Sequence, residues 1–362
     1  MIFGLIMEGT NGAIMSKKTQ NLINKINNKG PYLGVVIPNL FEQNPLLNSP
    51  DYTAIDVVID ISAIRAQFGY LANSKLRLII MASFSYIGFL GLIFMIFGLI
   101  MEGTNGAIMS KKTQNLINKI NNKGPYLGVV IPNLFEQNPL LNSPDYTPID
   151  VVIDISGRRF RFGKIGDQKV VSVMTGLGMI NAGITTQLLL SFFNVEGVVH
   201  YGIAGNANPS LNIGDLALEA NGDYTREVGY LKFADYAVNN LELEKCINST
   251  TCLSTTPKVY TVERGTSASI YLDNAAYRSF IYDKFKVSPV DMESAAVALI
   301  SLQQRVPYIA IRALSDLAGG GSADSNEADI FINLAADNSI IAVLAFIKQL
   351  SAFKNGGGVN SM

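Results

Sequence analysis

Residues 170–193, VVSVMTGLGMINAGITTQLLLSFF, decide the fold. Val170–Met174 is a β-branched apolar run of strand length, and Thr175-Gly176-Leu177-Gly178 breaks it. From Ile180 to Phe193 apolar residues recur at helical spacing, with Leu188, Leu189 and Phe192 on one face. The order strand, glycine turn, helix recurs along the chain. Leu127–Ile131 and Ile149–Ile155 read as strands. Val195–His200 reads as another, stopping at Tyr201-Gly202-Ile203-Ala204-Gly205-Asn206. Val290 is expected to open a helix through Leu302. Tyr308–Ala313 is expected to be a buried strand ending at Leu314-Ser315-Asp316, with a last helix over 329–350. Such alternation predicts an α/β fold, a three-layer α/β/α sandwich with a central mixed sheet.

In such a sheet a ligand sits beyond the carboxyl ends of the strands. Those ends are Pro132–Glu136, Thr175–Gly178, Gly202–Asn206 and Ser315–Asp316. Glycines at two of them let backbone N–H groups approach a ligand closely. The TGLG turn feeds a helix N-terminus, a seat for a phosphate or a ribose hydroxyl. It is not a P-loop, because no Gly-Lys-Ser/Thr follows, and its glycine spacing does not fit the dinucleotide fingerprint.

Composition narrows the chemistry. The chain has 362 residues, 48% of them hydrophobic, enough for a large core. Lys plus Arg is 28 and Asp plus Glu is 29, a net charge of −1, which argues against a nucleic-acid binder. A single histidine, His200, and two cysteines, Cys246 and Cys252, leave no basis for a Cys/His metal site. Catalysis, if there is any, must then run on carboxylates, hydroxyls, amides and backbone, and no metal or organic cofactor is implied. His200 ends an apolar strand and reads as a core histidine rather than a base.

The N-terminal part nearly duplicates a later stretch of the chain. Residues 1–62 reappear as 95–156 at a constant offset of 94, with one mismatch, Ala54 against Pro148. Two near-identical copies are unlike solenoid repeats, which drift and recur. Residues 1–80 are therefore expected to lie outside the working domain, which spans 108–362. Between them, Lys75 and Arg77 precede the uncharged run Leu78–Met101, followed by small residues. Residues 81–107 read as a secretory signal cleaved near Gly103–Ala107, with a signal anchor as the competing reading. Asn248-Ser249-Thr250 is an N-glycosylation sequon, and Cys246 and Cys252 bracket it closely enough to pair in an oxidising compartment. An extracellular or vacuolar destination is expected.

Five stretches, LGVVIPNLFEQ, TGLGMINAGITTQLLL, YGIAGNANPSLNIGDL, VDMESAAVALI and IAIRALSDLAG, carry a resemblance. In content and order, residues 126–350 resemble the nucleoside phosphorylase and nucleosidase superfamily. The look is nearest to its plant secretory branch of bark and vegetative storage proteins and cytokinin-binding purine nucleoside phosphorylases. The resemblance implies cleavage of the bond between ribose C1′ and a purine nitrogen, through a cationic sugar that positioning and electrostatics stabilise. It implies Asp316 as the acid at purine N7, Glu293 as acceptor for the ribose hydroxyls over Met292, and Glu136 as the carboxylate that activates water. Thr175, Gly176 and Asn181 would line the ribose or phosphate side, Ala204 and Gly205 the base and sugar, and Ser315 would accompany Asp316. The implied ligand is a nucleoside or nucleobase, cytokinin ribosides included, with inorganic phosphate as co-substrate. The implied assembly is a homo-oligomer.

Local chemistry offers plainer roles for the same residues. Asp316 could cap a turn, Glu293 could sit in a helix first turn beside Asp291, Glu136 could be solvated in a polar loop, and Met292 could be core. No arginine accompanies the TGLG motif, where phosphorylases recruit them. Arg158, Arg159, Arg161 and Arg264 are the candidates. Without one, water becomes the acceptor and Glu136 gains weight. A third outcome is a storage or binding protein that keeps the pocket without turnover.

Overall fold

The structure is a computed structural model that describes residues 52–61, 64–71, 109–219, 238, 241–319 and 328–355. The expected signal segment 81–107 and the sequence copy up to residue 51 lie outside these residues. Two units are distinguished, one holding the hairpin of residues 52–71 and the other residues 116–362.

In the first unit β1 (Tyr52–Ile61) pairs antiparallel with β2 (Ile64–Leu71), with an irregularity between Ala54 and Val58. In the second unit β4 (Tyr146–Ile155) pairs with β5 (Arg158–Ile165) in the same way, irregular between Pro148 and Val152. Only the first strand of each hairpin lies in the repeated sequence; β2 and β5 differ in sequence, yet the pairing register is the same in both hairpins.

Helix α1 (Lys111–Asn121) leads into the second unit, which continues with β3 (Tyr126–Ile131) and α2 (Leu134–Asn142), then the β4–β5 hairpin and β6 (Gln168–Met174). Next come α3 (Met179–Phe192), β7 (Val195–Asn206), β8 (Leu216–Glu219), β9 (Val259–Val262) and β10 (Thr266–Ser267). It closes with α4 (Ala275–Phe285), β11 (Pro289–Asp291), α5 (Ser294–Gln303), β12 (Tyr308–Leu317) and α6 (Ala328–Asn355). The main sheet runs β4-β5-β6-β3-β7-β12-β8-β9. The four central strands β6, β3, β7 and β12 are parallel, so their carboxyl ends share one rim.

Strand parity shows why both faces are covered. Leu127, Val129 and Ile131 of β3 share a cluster with Val199 and Tyr201 of β7, Ile309 and Ile311 of β12, and Val343, Phe346 and Ile347 of α6. The intervening residues face the other side, where Gly128 leaves room for Leu189 of α3. A Cβ there would stand 2.8 Å from the Leu189 side chain. Helices α3 and α5 cover that side. Leu188, Leu189 and Leu190 are all buried, so α3 has no single apolar stripe; it lies between sheet and α5. Helix α6 is apolar and long enough to cross a membrane, yet Ala342, Val343, Phe346 and Ile347 have no exposure, which makes it a core helix of this domain.

Three expectations are corrected. Strand β7 does not stop at Tyr201 but runs on to Asn206, paired with β12 to its end. Val290 does not open a helix. Residues 289–291 form β11, paired antiparallel with Asn206 and Gly205 of β7, and the helix starts at Ser294. Strand β12 runs on to Leu317, with a bulge between Leu314 and Asp316. That bulge leaves Ser315 unpaired and sets Asp316 opposite Gly205. Away from the rim, Cys246 and Cys252 form a disulfide across an isolated antiparallel bridge, with Asn248 exposed between them.

Candidate active site

The rim gathers four segments around one buried guanidinium. Arg312, on β12, has no exposure. Its Nε lies 2.7 Å from Asp291 Oδ2, and its Nη2 donates to Ser294 Oγ at 3.0 Å and to His200 Nε2. Glu293 Oε2 is 3.9 Å from the same Nη2. Asp291 also accepts from Ser267 Oγ at 2.5 Å and from the backbone N–H groups of Glu293 and Ser294, both at 3.1 Å. Asp291, not Glu293, therefore caps α5. Burial alone would raise the Asp291 carboxyl, but Arg312 and the hydroxyls of Ser267 and Ser294 hold it below the ordinary carboxylate range.

Relieved of capping, Glu293 reaches across the rim. Its Oε1 accepts from Gly178 N at 2.7 Å, tying the start of α5 to the TGLG turn. Gly178 has φ +93°, which is why glycine stands there. Burial raises the Glu293 pKa, with Arg312 and the Gly178 N–H opposing.

Glu136 is not the solvated loop residue its local sequence suggests. It lies in the first turn of α2, capped by Asn133, and is 1% exposed. Oε1 accepts from Ile203 N at 2.8 Å. Oε2 is buried with no hydrogen-bond partner among the described residues. Tyr201 pins the segment by donating to the Glu136 carbonyl at 2.8 Å. Gly202 makes room, since a Cβ there would stand 2.3 Å from Glu136 Oε1 and 2.7 Å from Arg312 Nη1. Burial pushes the Glu136 carboxyl up to about 8, although Arg312 and the Ile203 N–H pull the other way.

Asp316 is 4% exposed and accepts from Ser315 Oγ at 2.6 Å. It lines a cavity of about 40 Å³ with Gly205, Met292, Ile270, Tyr271 and Leu272. Ala204 is buried beside Gly205, and its carbonyl is 3.3 Å from Ser315 Oγ. Thr175 is buried and donates to its neighbour's carbonyl, Gly176 has φ +78°, and Asn181 Nδ2 donates to Leu177 O at 2.7 Å. Of the candidate arginines, Arg158 reaches this turn: its Nη2 donates to Asn181 Oδ1 at 2.5 Å. Arg159 pairs instead with Asp154, and Arg264 with Glu263.

The acids expected from sequence thus fall on one rim. Asp316 and Met292 share a cavity, and Glu293 and Glu136 flank Arg312. Sequence reasoning misses Arg312 itself, and also Glu219 on β8, whose carboxyl burial and Asp291 push up to about 8. A lone charge inside the apolar run Ile309–Leu314 is the signal that could have found Arg312, because a buried charge needs partners. Among the described residues no group of three or more His, Cys, Asp and Glu could hold a metal ion.

Comparison with known proteins agrees with this architecture. The Phosphorylase superfamily model matches residues 126–348, and the chain belongs to that superfamily. It is 27% identical over 281 residues to bark storage protein A of Populus deltoides, covering 62% of this chain and 88% of that protein. It is 31% identical over 216 residues to a 5′-methylthioadenosine/S-adenosylhomocysteine nucleosidase of Buchnera aphidicola, covering 56% of this chain and 81% of that one. A crystal structure of a nucleosidase of that name from Colwellia psychrerythraea, in complex with adenine, matches with a TM-score of 0.50 at 23% identity. That match covers 62% of this chain and 95% of the other, and it shows the shared fold.

Proposed function

We propose that this chain cleaves the N-glycosidic bond of purine-type nucleosides with water as the acceptor. The observation that carries the reading is Glu136, buried, fixed through one oxygen by Ile203 N, with its second oxygen unpartnered among the described residues. That oxygen is suited to take a proton from a water attacking C1′. Glu293 would accept the ribose hydroxyls, Met292 would pack beneath the sugar, and Asp316 would protonate the departing base at N7. Once Glu136 is deprotonated, it and Asp291 outweigh the single charge of Arg312 and would favour the cationic sugar of the transition state. Phosphorolysis is the competing reading, favoured by Arg158, which reaches the TGLG turn and donates to Asn181 Oδ1.

A second reading is storage or base binding without turnover, favoured by the likeness to a bark storage protein. The apolar wall of Ile270, Tyr271 and Leu272 suits a purine with an apolar substituent, as in a cytokinin riboside. A homo-oligomer belongs to the same proposal. Leu177, Ile180 and Ile184 are 56%, 76% and 51% exposed, on and just before a helix without charges. So do secretion, cleavage of residues 81–107, dispensability of residues 1–80 and glycosylation of Asn248, supported by the leader sequence and the disulfide around the sequon.

The test is base release from adenosine, inosine, 5′-methylthioadenosine and an isopentenyl riboside, with and without phosphate. Release in both conditions, yielding free sugar, is expected. Release only with phosphate would make the chain a phosphorylase. Tight base binding without release in either would make it a binding or storage protein.

A further inference from the structure

His200 has no part in the reaction proposed above, yet it touches the group at its centre. The ring is fully buried on β7, on the sheet face opposite α6. Arg312 Nη2 meets its Nε2, and its Nδ1 lies 2.9 Å from the carbonyl of Val130 on β3. A guanidinium can only donate, so Nε2 must offer its lone pair. The proton is then on Nδ1, donating to Val130 O. Both ring nitrogens are committed, and the tautomer follows from the partners.

Arg312 is held at three points. Asp291 takes Nε at 2.7 Å, Ser294 Oγ accepts from Nη2 at 3.0 Å, and His200 takes Nη2 from the sheet side. The remaining nitrogen, Nη1, faces the space above Gly202 that it shares with Glu136 Oε1. Its one hydrogen bond among the described residues, to Ile203 O at 3.4 Å, is long. We propose that His200 is a positioning residue: its Nε2 lone pair fixes the Arg312 guanidinium between Asp291 and the glutamates, and so sets the charge that Glu136 feels.

The charged and titratable groups around this contact are Asp291, Glu293, Glu136, Glu219, Tyr201 and Tyr308. One cation faces four carboxylates, so a small rotation of Arg312 redistributes its field among them. Burial and Arg312 hold the imidazole down to about 3, so it stays neutral in its accepting role at any working pH.

The role at Glu136 rests on the function proposed above; the contact itself can be tested without it. His200 is the sole histidine of the chain, so a ¹⁵N-histidine label in the full-length protein reports on it alone. The expected spectrum is one neutral Nδ1–H tautomer that does not titrate from about pH 5 to 9. An imidazolium, an Nε2–H tautomer or titration near the ordinary histidine range overturns the proposal. The kinetic arm compares His200→Leu with His200→Gln, whose amide oxygen can stand in for Nε2. His200→Leu is expected to lower kcat about tenfold or more at nearly unchanged KM and to move the acid limb of the pH profile up by about half a unit, as Arg312 loosens from Glu136. His200→Gln is expected to restore much of both. Equal losses in the two variants with an unmoved acid limb overturn the proposal. If the wild-type protein releases no base, the hydrolase reading fails, and the histidine spectrum decides the His200 contact by itself.

Discussion

Gly202→Ala tests the site's geometry with a single methyl group. A Cβ built at Gly202 stands 2.3 Å from Glu136 Oε1, and ordinary contact begins at 3.4 Å, so the carboxylate must retreat by 3.4 − 2.3 = 1.1 Å. It cannot retreat freely. Ile203 N holds Oε1 at 2.8 Å, and Arg312 Nη1, 2.7 Å from the same Cβ, is anchored through Asp291. The strain falls on the two charged side chains and also on the backbone, because Gly202 has φ +157°, which a residue with a Cβ rarely adopts. The expected stability loss is that of modest overpacking, about 1–3 kcal/mol. A misplacement of about 1 Å in a catalytic group costs about 100-fold in rate, or about 2.7 kcal/mol on the barrier. The assay is kcat for base release from 5′-methylthioadenosine, beside thermal unfolding. Gly183→Ala is the control, since its Cβ would lie 3.8 Å from Ala296 in ordinary contact, and activity and stability should hold. If Gly202→Ala turns over within about twofold of wild type, Glu136 is not the base whose position matters.

Three further outcomes rest on the same residues. With the Glu136 carboxyl at about 8 in the free protein, kcat/KM should rise with pH through about 8 and level off only above it, because the base acts only when deprotonated; a profile flat from pH 6 to 9 would contradict this. The Glu219 carboxyl, raised from 4.5 to about 8, contributes stability that is fully present below 4.5 and lost as pH rises through 8. Glu219→Gln should therefore raise Tm more at pH 9 than at pH 5, and equal shifts would show that Glu219 is not buried as described. Asp316→Asn should cut turnover by about 100-fold or more with folding intact, measured as kcat beside a circular dichroism melt; unchanged turnover removes it as the acid.

Where structure depends on local pattern, the sequence already shows it. Val170–Met174, Val195–His200 and Tyr308–Ala313 read as strands because parallel strands covered on both faces are continuous apolar runs. The glycine turns mark the rim because positive φ at Gly176 and Gly178 leaves a signature in residue type. Features set by tertiary register are invisible in the chain. Strand β11 is three residues long and has no periodicity of its own. The bulge that leaves Ser315 unpaired depends on how β12 meets β7. Glu136 sits in a polar stretch, and its burial is created by Gly202 and Ile203, more than sixty residues away. Arg158 reaches the TGLG turn only because β5 lies beside β6. Arg312 is the exception, a charge in an apolar strand that is open to reading.

The claim that water, activated by Glu136, attacks the sugar is tested most directly by running the reaction in ¹⁸O-labelled water with phosphate in excess and weighing the sugar product. Free sugar carrying one ¹⁸O is the expected product, and Glu136→Gln should abolish its formation. A pentose 1-phosphate without label would contradict the account.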